Sequence, residues 1–208
     1  SNRKIHQHVR IDGLKLLDDA LAKKKGVLIL TPHITTLEVA GRIISHYAPT
    51  TLLQRHQNQP VINYICQKGR GRYSQIALQH QTRKLLHALK KGELICVLPD
   101  QDLGADRSIF VPFLNIEQTA TITSTAKIAR WNNCEALFAY CLRDKKRGHF
   151  KIVIKPLSKH LTSDDLTADT TKINEIFSNM ILEHPSLYLW CHKRFKTRPI
   201  GEAPFYED

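Results

Sequence analysis

Residues 31–38, Thr-Pro-His-Ile-Thr-Thr-Leu-Glu, set an imidazole and a carboxylate five positions apart, directly after the apolar run Val27-Leu28-Ile29-Leu30. That run reads as a buried strand. A histidine at a strand end, with a carboxylate close by, can be built into a general base. Five residues along one helix would turn the two side chains about 140° apart, at roughly 100° per residue. His33 and Glu38 can therefore meet only if His33 sits in the loop and Glu38 in the first helical turn. Pro32 punctuates the strand end and favours that arrangement. A second reading of the same residues is purely structural. Thr35-x-x-Glu38 matches a capping box, in which Glu38 stabilises a helix start and His33 is an ordinary loop histidine.

The elements that must hold this segment alternate along the chain. Leu14, Leu17 and Leu21 recur at helical spacing after Asp12, a candidate N-cap, and Gly26 closes that helix. A strand at 27–31 feeds the His33 loop, and a helix follows near 37–47. Thr51-Leu52-Leu53-Gln54 reads as a strand, and Pro60 opens a helix carrying Ile62, Ile65 and Cys66. A short strand near Ser74–Leu78 precedes a helix with Leu85, Leu86 and Leu89, closed by Gly92. Leu94–Leu98 reads as a buried strand, and Thr121–Trp131 as a helix. Ala136–Leu142 and Phe150–Ile154 flank Asp144-Lys145-Lys146-Arg147-Gly148 and predict an antiparallel hairpin. Ile173, Ile176, Phe177, Met180 and Ile181 form one apolar helical face. Strands alternating with helices predict an α/β layer fold.

The 208 residues suffice for one domain with a substantial core, and 42% hydrophobic content is ordinary for a globular chain. No apolar run approaches the roughly 20 residues that span a bilayer, and no secretory signal is visible. The net charge of +12 implies an acidic partner: nucleic acid, an anionic membrane or an acidic carrier protein. Basic residues cluster at Lys23–Lys25, Lys68–Arg72, Arg83-Lys84, Lys90-Lys91, Arg143–Arg147 and Lys193–Arg198, which does not single out one of these. No RNA-binding aromatic signature or zinc finger supports nucleic acid. The five cysteines include no Cys-x-x-Cys, so buried thiols in a reducing compartment are expected, and no metal site. There is no Gly-x-Ser-x-Gly elbow to supply a nucleophile.

Four motifs in order carry a resemblance over about Gly26 to Pro199. They are His33-x4-Glu38, Leu98-Pro99-Asp100-Gln101-Asp102, Ile109-Phe110-Val111-Pro112-Phe113 and His192-Lys193-Arg194-Phe195-Lys196-Thr197-Arg198-Pro199. Together they resemble the lipid A late acyltransferases, the lauroyl/myristoyl transferases of Gram-negative bacteria. The resemblance implies a mixed central sheet flanked by helices, like the glycerol-phosphate acyltransferase fold. It implies one acyltransferase domain over 1–208, with a membrane anchor upstream of it; the chain starts Ser1-Asn2, without methionine. It implies transfer of a fatty acyl chain from an acyl-carrier-protein thioester to a hydroxyl of a lipid A precursor, at the cytoplasmic face of the inner membrane. A thioester is already activated, so no cofactor or metal is required.

By the same resemblance His33 is the general base and Glu38 orients and polarises it. Arg55, just after the Leu52-Leu53 strand, would stabilise an oxyanion or hold a phosphate, as guanidinium forks do. Asp100, Gln101 and Asp102 follow a buried strand, the end at which α/β sheets line their ligand crevice. One of these carboxylates would fix Arg55 or organise the loop; a plain turn running to Gly104 is the other reading. Phe113 would line the acyl channel or belong to the core. Arg194 and Arg198 would meet lipid phosphates or the carrier, or form a basic tail. The family usually has Gly-Asn-Trp at or near the place where this chain has Thr35-Thr36-Leu37, and threonine lacks glycine's backbone freedom. Two other functions fit the same residues. One is acyl transfer to a lysophospholipid, glycerol phosphate or another envelope glycolipid. The other is a non-enzymatic basic module that binds membrane or nucleic acid.

Overall fold

The computed structural model describes residues 7–78, 80–131, 134–157, 161 and 164–207. Its strands are β1 (Val9–Asp12), β2 (Val27–Leu30), β3 (Thr50–Gln54), β4 (Gln75–Leu78), β5 (Leu94–Val97), β6 (Ser108–Phe113), β7 (Ile116–Ile122), β8 (Glu135–Arg143) and β9 (Phe150–Pro156). Its helices are α1 (Leu14–Ala22), α2 (Leu37–Ile44), α3 (Pro60–Arg70), α4 (Thr82–Lys90), α5 (Ser124–Trp131) and α6 (Leu166–Glu183). Seven strands form one mixed sheet in the order β1-β9-β8-β2-β5-β3-β4, with helices on its faces, and β6-β7 form a separate hairpin. Within the large sheet only β8 and β9 pair antiparallel. The α/β class and the mixed sheet match the sequence expectation.

The centre of the sheet is built from the most apolar segments. Val27, Leu28, Ile29 and Leu30 are wholly buried, because β2 lies between β5 and β8 with both faces covered. A strand buried on both faces needs such an unbroken apolar run. Pairing is in register from Val27 with Leu94 to Leu30 with Val97. The loops that leave β2 and β5 therefore start side by side, at the same edge of the sheet. Gly26 permits the entry to β2: its φ is +79°, and a Cβ there would lie 2.5 Å from the Leu89 carbonyl oxygen.

The hairpin β6-β7 is the main departure from the sequence reading. Thr121 and Ile122, expected in a helix, end β7, and the helix starts only at Ser124. β-Branched residues lose side-chain freedom in a helix and suit a strand. The hairpin is pinned to α6 by polar side chains. Asn174 Nδ2 donates to Pro112 O at 2.9 Å and to Thr121 Oγ1 at 3.0 Å, and Leu114 N donates to Ser178 Oγ at 2.8 Å. Asp165 caps α6 by accepting from Thr167 N.

Candidate active site

His33 sits in the loop leaving β2, and Asp100 in the loop leaving β5. One carboxylate grips the histidine twice. Asp100 Oδ2 accepts from the His33 backbone N–H at 2.8 Å, and Oδ1 lies 2.6 Å from ring Nδ1. Asp100 is 1% exposed. Burial alone would push its carboxyl up. The hydrogen bond and charge of the His33 ring, with the backbone N–H, outweigh burial and hold it below the usual carboxylate range. An ionised Asp100 accepts only, so Nδ1 carries the proton and Nε2 presents a lone pair to the pocket. Gln101 Nε2 lies 3.0 Å from that lone pair, and its amide also bonds His192 Nε2. The Gln101 amide thus bridges the two rings. Burial, and next the neighbouring His33, lower the pKa of His192 and favour its neutral form.

The residues around His192 fold back onto this loop. Leu189 N donates to His33 O at 3.0 Å, and Thr35 N donates to Leu187 O at 2.9 Å. Ile34 and Tyr188 form an isolated antiparallel bridge between the two segments. A 3₁₀ turn over Trp190–His192 then brings the His192 ring edge-on to His33, 4.9 Å between centroids. Asp102 completes the tie: it accepts from Thr197 N and Thr197 Oγ1, each at 2.8 Å, and from Gly104 N at 3.0 Å.

Among the described residues Glu38 makes no hydrogen bond to His33. It lies in the first turn of α2, whose N-cap is Thr36 rather than Thr35, with no side-chain capping bond. From there its carboxylate meets the end of α3. Both Glu38 oxygens accept from Arg70 Nε at 3.2 Å, Nη2 adds a further bond, and Tyr73 Oη lies 3.4 Å away. Arg70 Nη1 also donates to Gln54 Oε1 at 2.9 Å. Tyr73 is pushed up to about 12 by burial and by Glu38, so it stays a neutral donor. Thr36 is buried and donates to the Cys141 carbonyl at 2.6 Å, with φ −102°. The loop needs no glycine-like dihedral at Thr36, and the threonine hydroxyl pins it to β8.

These groups surround a cavity of about 530 Å³. Its mouth holds His33, Glu38, Arg55, Arg70, Gln101 and His192, and its depth is walled by Ile29, Ala40, Ile44, Leu52, Cys96 and Ala139. The floor is apolar because one face of β2, β3 and β5 contributes every second residue: Ile29, Leu52 and Cys96 are register partners. Burial pushes the Cys96 thiol up to about 12, which leaves it protonated and unfit as a nucleophile. The arrangement offers an imidazole held by a buried carboxylate, at the lip of an apolar slot. That suits deprotonation of a hydroxyl beside a bound alkyl chain.

Of the residues expected at the site, the structure brings His33, Gln101, Glu38 and Arg55 to one cavity, with Asp100 buried beneath His33. Three others lie elsewhere. Asp102 is spent on the Gly104 turn and Thr197. Phe113 is 1% exposed and packs against Tyr188 and Phe195 in the core rather than along the cavity. Arg194 is 2% exposed; it donates to Ala120 O and, at 2.7 Å, to Thr121 Oγ1, and it lies over the Phe113 ring. It clamps the tail to the hairpin and does not line this cavity. Arg198 bonds Gln118 O and Glu202. Sequence reasoning missed Arg70, Tyr73 and His192. Arg70 stands at a helix end among other basic residues, and its bond to Glu38 spans 32 positions with no pattern to mark it.

Comparison with known proteins agrees with this geometry. A family model for bacterial lipid A biosynthesis acyltransferases matches residues 1–197. A lipid A biosynthesis palmitoleoyltransferase of Escherichia coli is 31% identical over 94% of this chain. A lipid A biosynthesis lauroyltransferase of the same species is 32% identical over 99%, and a lipid A biosynthesis acyltransferase of Haemophilus influenzae 28% over 100%. The chain spans 64% of the palmitoleoyltransferase and 67% of the other two. With the motifs, the fold and these relatives in agreement, the chain belongs to the bacterial lipid A biosynthesis acyltransferase family.

Proposed function

We propose that this protein is an acyltransferase that moves a fatty acyl chain from an acyl-carrier-protein thioester to a hydroxyl of a lipid A precursor. The observation that supports this best is the His33–Asp100 pair at the lip of an apolar cavity. Nε2 of His33 takes the proton of the acceptor hydroxyl as its oxygen attacks the thioester carbonyl. A C–O bond forms, the C–S bond breaks, and the proton passes from Nε2 to the departing thiolate. Asp100 keeps the ring in the required tautomer and stabilises the imidazolium that forms transiently. Gln101 holds the lone pair until the hydroxyl arrives.

The carbonyl oxygen gains negative charge during attack and needs a donor. Arg55 stands at the mouth with no side-chain ion pair among the described residues, so it is the group placed to supply one or to hold a substrate phosphate. Arg70 is already committed to Glu38 and Gln54. Glu38 therefore acts in this scheme as the anchor of Arg70 and a wall of the mouth, and the orienting role expected of it belongs to Asp100. The apolar slot takes the alkyl chain, and the basic surface suits both the acidic carrier and an anionic membrane.

The test is product mass after incubation with acyl-carrier thioesters and a lipid A precursor, with a lysophospholipid as rival acceptor. Acylated lipid A precursor, lost in a folded His33→Ala variant, is the expected result. Transfer only to the lysophospholipid, or near wild-type transfer by His33→Ala, would overturn the assignment.

A further inference from the structure

Helix α3 is built inside out. None of its eleven residues is buried, yet Val61 is 68% exposed, Tyr64 60% and Ile65 58%. At about 100° per residue these three project to one side with Lys68, while Asn63, Gln67 and Arg70 project to the other. The polar side faces the protein. Asn63 Oδ1 accepts from Gln57 N at 3.1 Å, and Arg70 reaches Glu38 and Gln54. A helix on a water-facing surface normally has the opposite arrangement. Its apolar stripe is contiguous with the cavity mouth, because Ile62 on the same helix lines that mouth.

We propose that α3 is an interfacial docking helix, which lays Val61, Tyr64 and Ile65 into an anionic bilayer and so sets the cavity mouth against the lipid. Charge favours this occupant. Residues 39–92, which follow Glu38 and run just past the end of α4, contain nine Lys and Arg and no Asp or Glu. A second copy of the chain would bring two such surfaces together and be repelled; an anionic bilayer attracts the surface and accepts the apolar stripe as well. The Tyr64–Lys68 pair fits the headgroup boundary: Lys68 Nζ donates to Tyr64 Oη at 2.8 Å and lies 5.1 Å from the ring centroid. Such side chains keep an apolar stem in the lipid and a polar tip at the surface. Among the described residues no helix is long and apolar enough to cross a membrane, so α3 lies on the bilayer rather than through it. The inference rests on the proposed lipid acceptor for its purpose, since docking would let that acceptor enter the mouth without leaving the bilayer.

The test is co-sedimentation of the 208-residue chain with phosphatidylcholine vesicles, with and without phosphatidylglycerol, at low and high salt. No acyl donor is present, so the result is independent of whether transfer occurs. Wild type should bind anionic vesicles and retain part of that binding at high salt. Val61→Asp/Ile65→Asp should weaken binding on the order of a hundredfold. Lys90→Glu/Lys91→Glu, a charge change on α4, should weaken it far less at high salt. Melting curves show whether the variants fold, and Val61→Ser/Ile65→Ser is the milder pair if the aspartates disturb the helix. With acceptor dispersed in detergent, the Val61/Ile65 variants should transfer as wild type does. Vesicle binding unchanged by either pair would overturn the proposal. So would a wild type that ignores vesicles but self-associates through this face, or variants whose only defect is a raised KM for the acyl carrier.

Discussion

Asp100 touches both the ring and the main chain of His33, so its removal has two separable effects. Asp100→Asn keeps an oxygen that can accept from the backbone N–H, but its amide can donate to Nδ1 and favour the wrong tautomer. Turnover should fall on the order of a thousandfold or more while the fold persists, read as kcat against melting temperature. Glu38→Gln is expected to act through Arg70 instead. The guanidinium loses its charged partner, and KM should rise more than kcat falls. Equal loss in both variants would place Glu38 back beside the base. Arg194 belongs to a different class. Replacing it by methionine removes the donors to the Ala120 carbonyl and to Thr121 Oγ1, which keeps its bonds to Asn174 and Thr119; about 1–3 kcal/mol of stability should be lost, with kinetics unchanged in the folded fraction. At this scale the sequence put His33, and separately Asp100 and Gln101, in loops at the ends of buried strands. It could not show which carboxylate holds the imidazole, because that depends on β2 and β5 being neighbours across 67 positions.

The element that carries the site is the β2–loop–α2 unit. Its entrance depends on Gly26 and its exit on Thr36. Gly26→Ala would need a positive φ and a Cβ 2.5 Å from a backbone oxygen, so destabilisation of several kcal/mol is expected from strain and overlap together. Thr36→Val keeps the shape and removes the donor to Cys141 O, which should cost about 1–3 kcal/mol and loosen the loop that carries His33. Denaturant unfolding of both variants checks this. Most elements were legible because buried strands and amphipathic helices write their own periods into the chain. β6-β7 was not: Thr119 and Thr121 carry no apolar rhythm, and the hairpin is fixed by Asn174 and Ser178 from α6, more than fifty residues on.

Over the whole molecule, the site titrates in two steps. His192 is depressed from 6.5, so its neutral form stabilises the fold, and stability declines as pH falls below that value toward the folded one. Asp100 is depressed from 3.8; its stabilisation is complete above that value and is lost as pH falls through the lower folded pKa. Melting temperature against pH should show both declines, and His192→Gln should remove only the first. The architecture as a class was readable from the alternation of strands and helices. That the last basic motif brings an imidazole and a backbone tie, not phosphate-binding arginines, was not readable, since burial of Arg194 has no local signature. The tie between residues 187–197 and the His33 loop also fixes an order of events during synthesis. His33, Asp100 and the cavity floor are translated early, but His192, the backbone partners of Thr35 and His33, and the Thr197 anchor for Asp102 come late. A ribosome that has released only the first six strands and their helices holds His33, Arg55, Asp100 and Gln101 and no finished site, which must wait for the return segment to emerge.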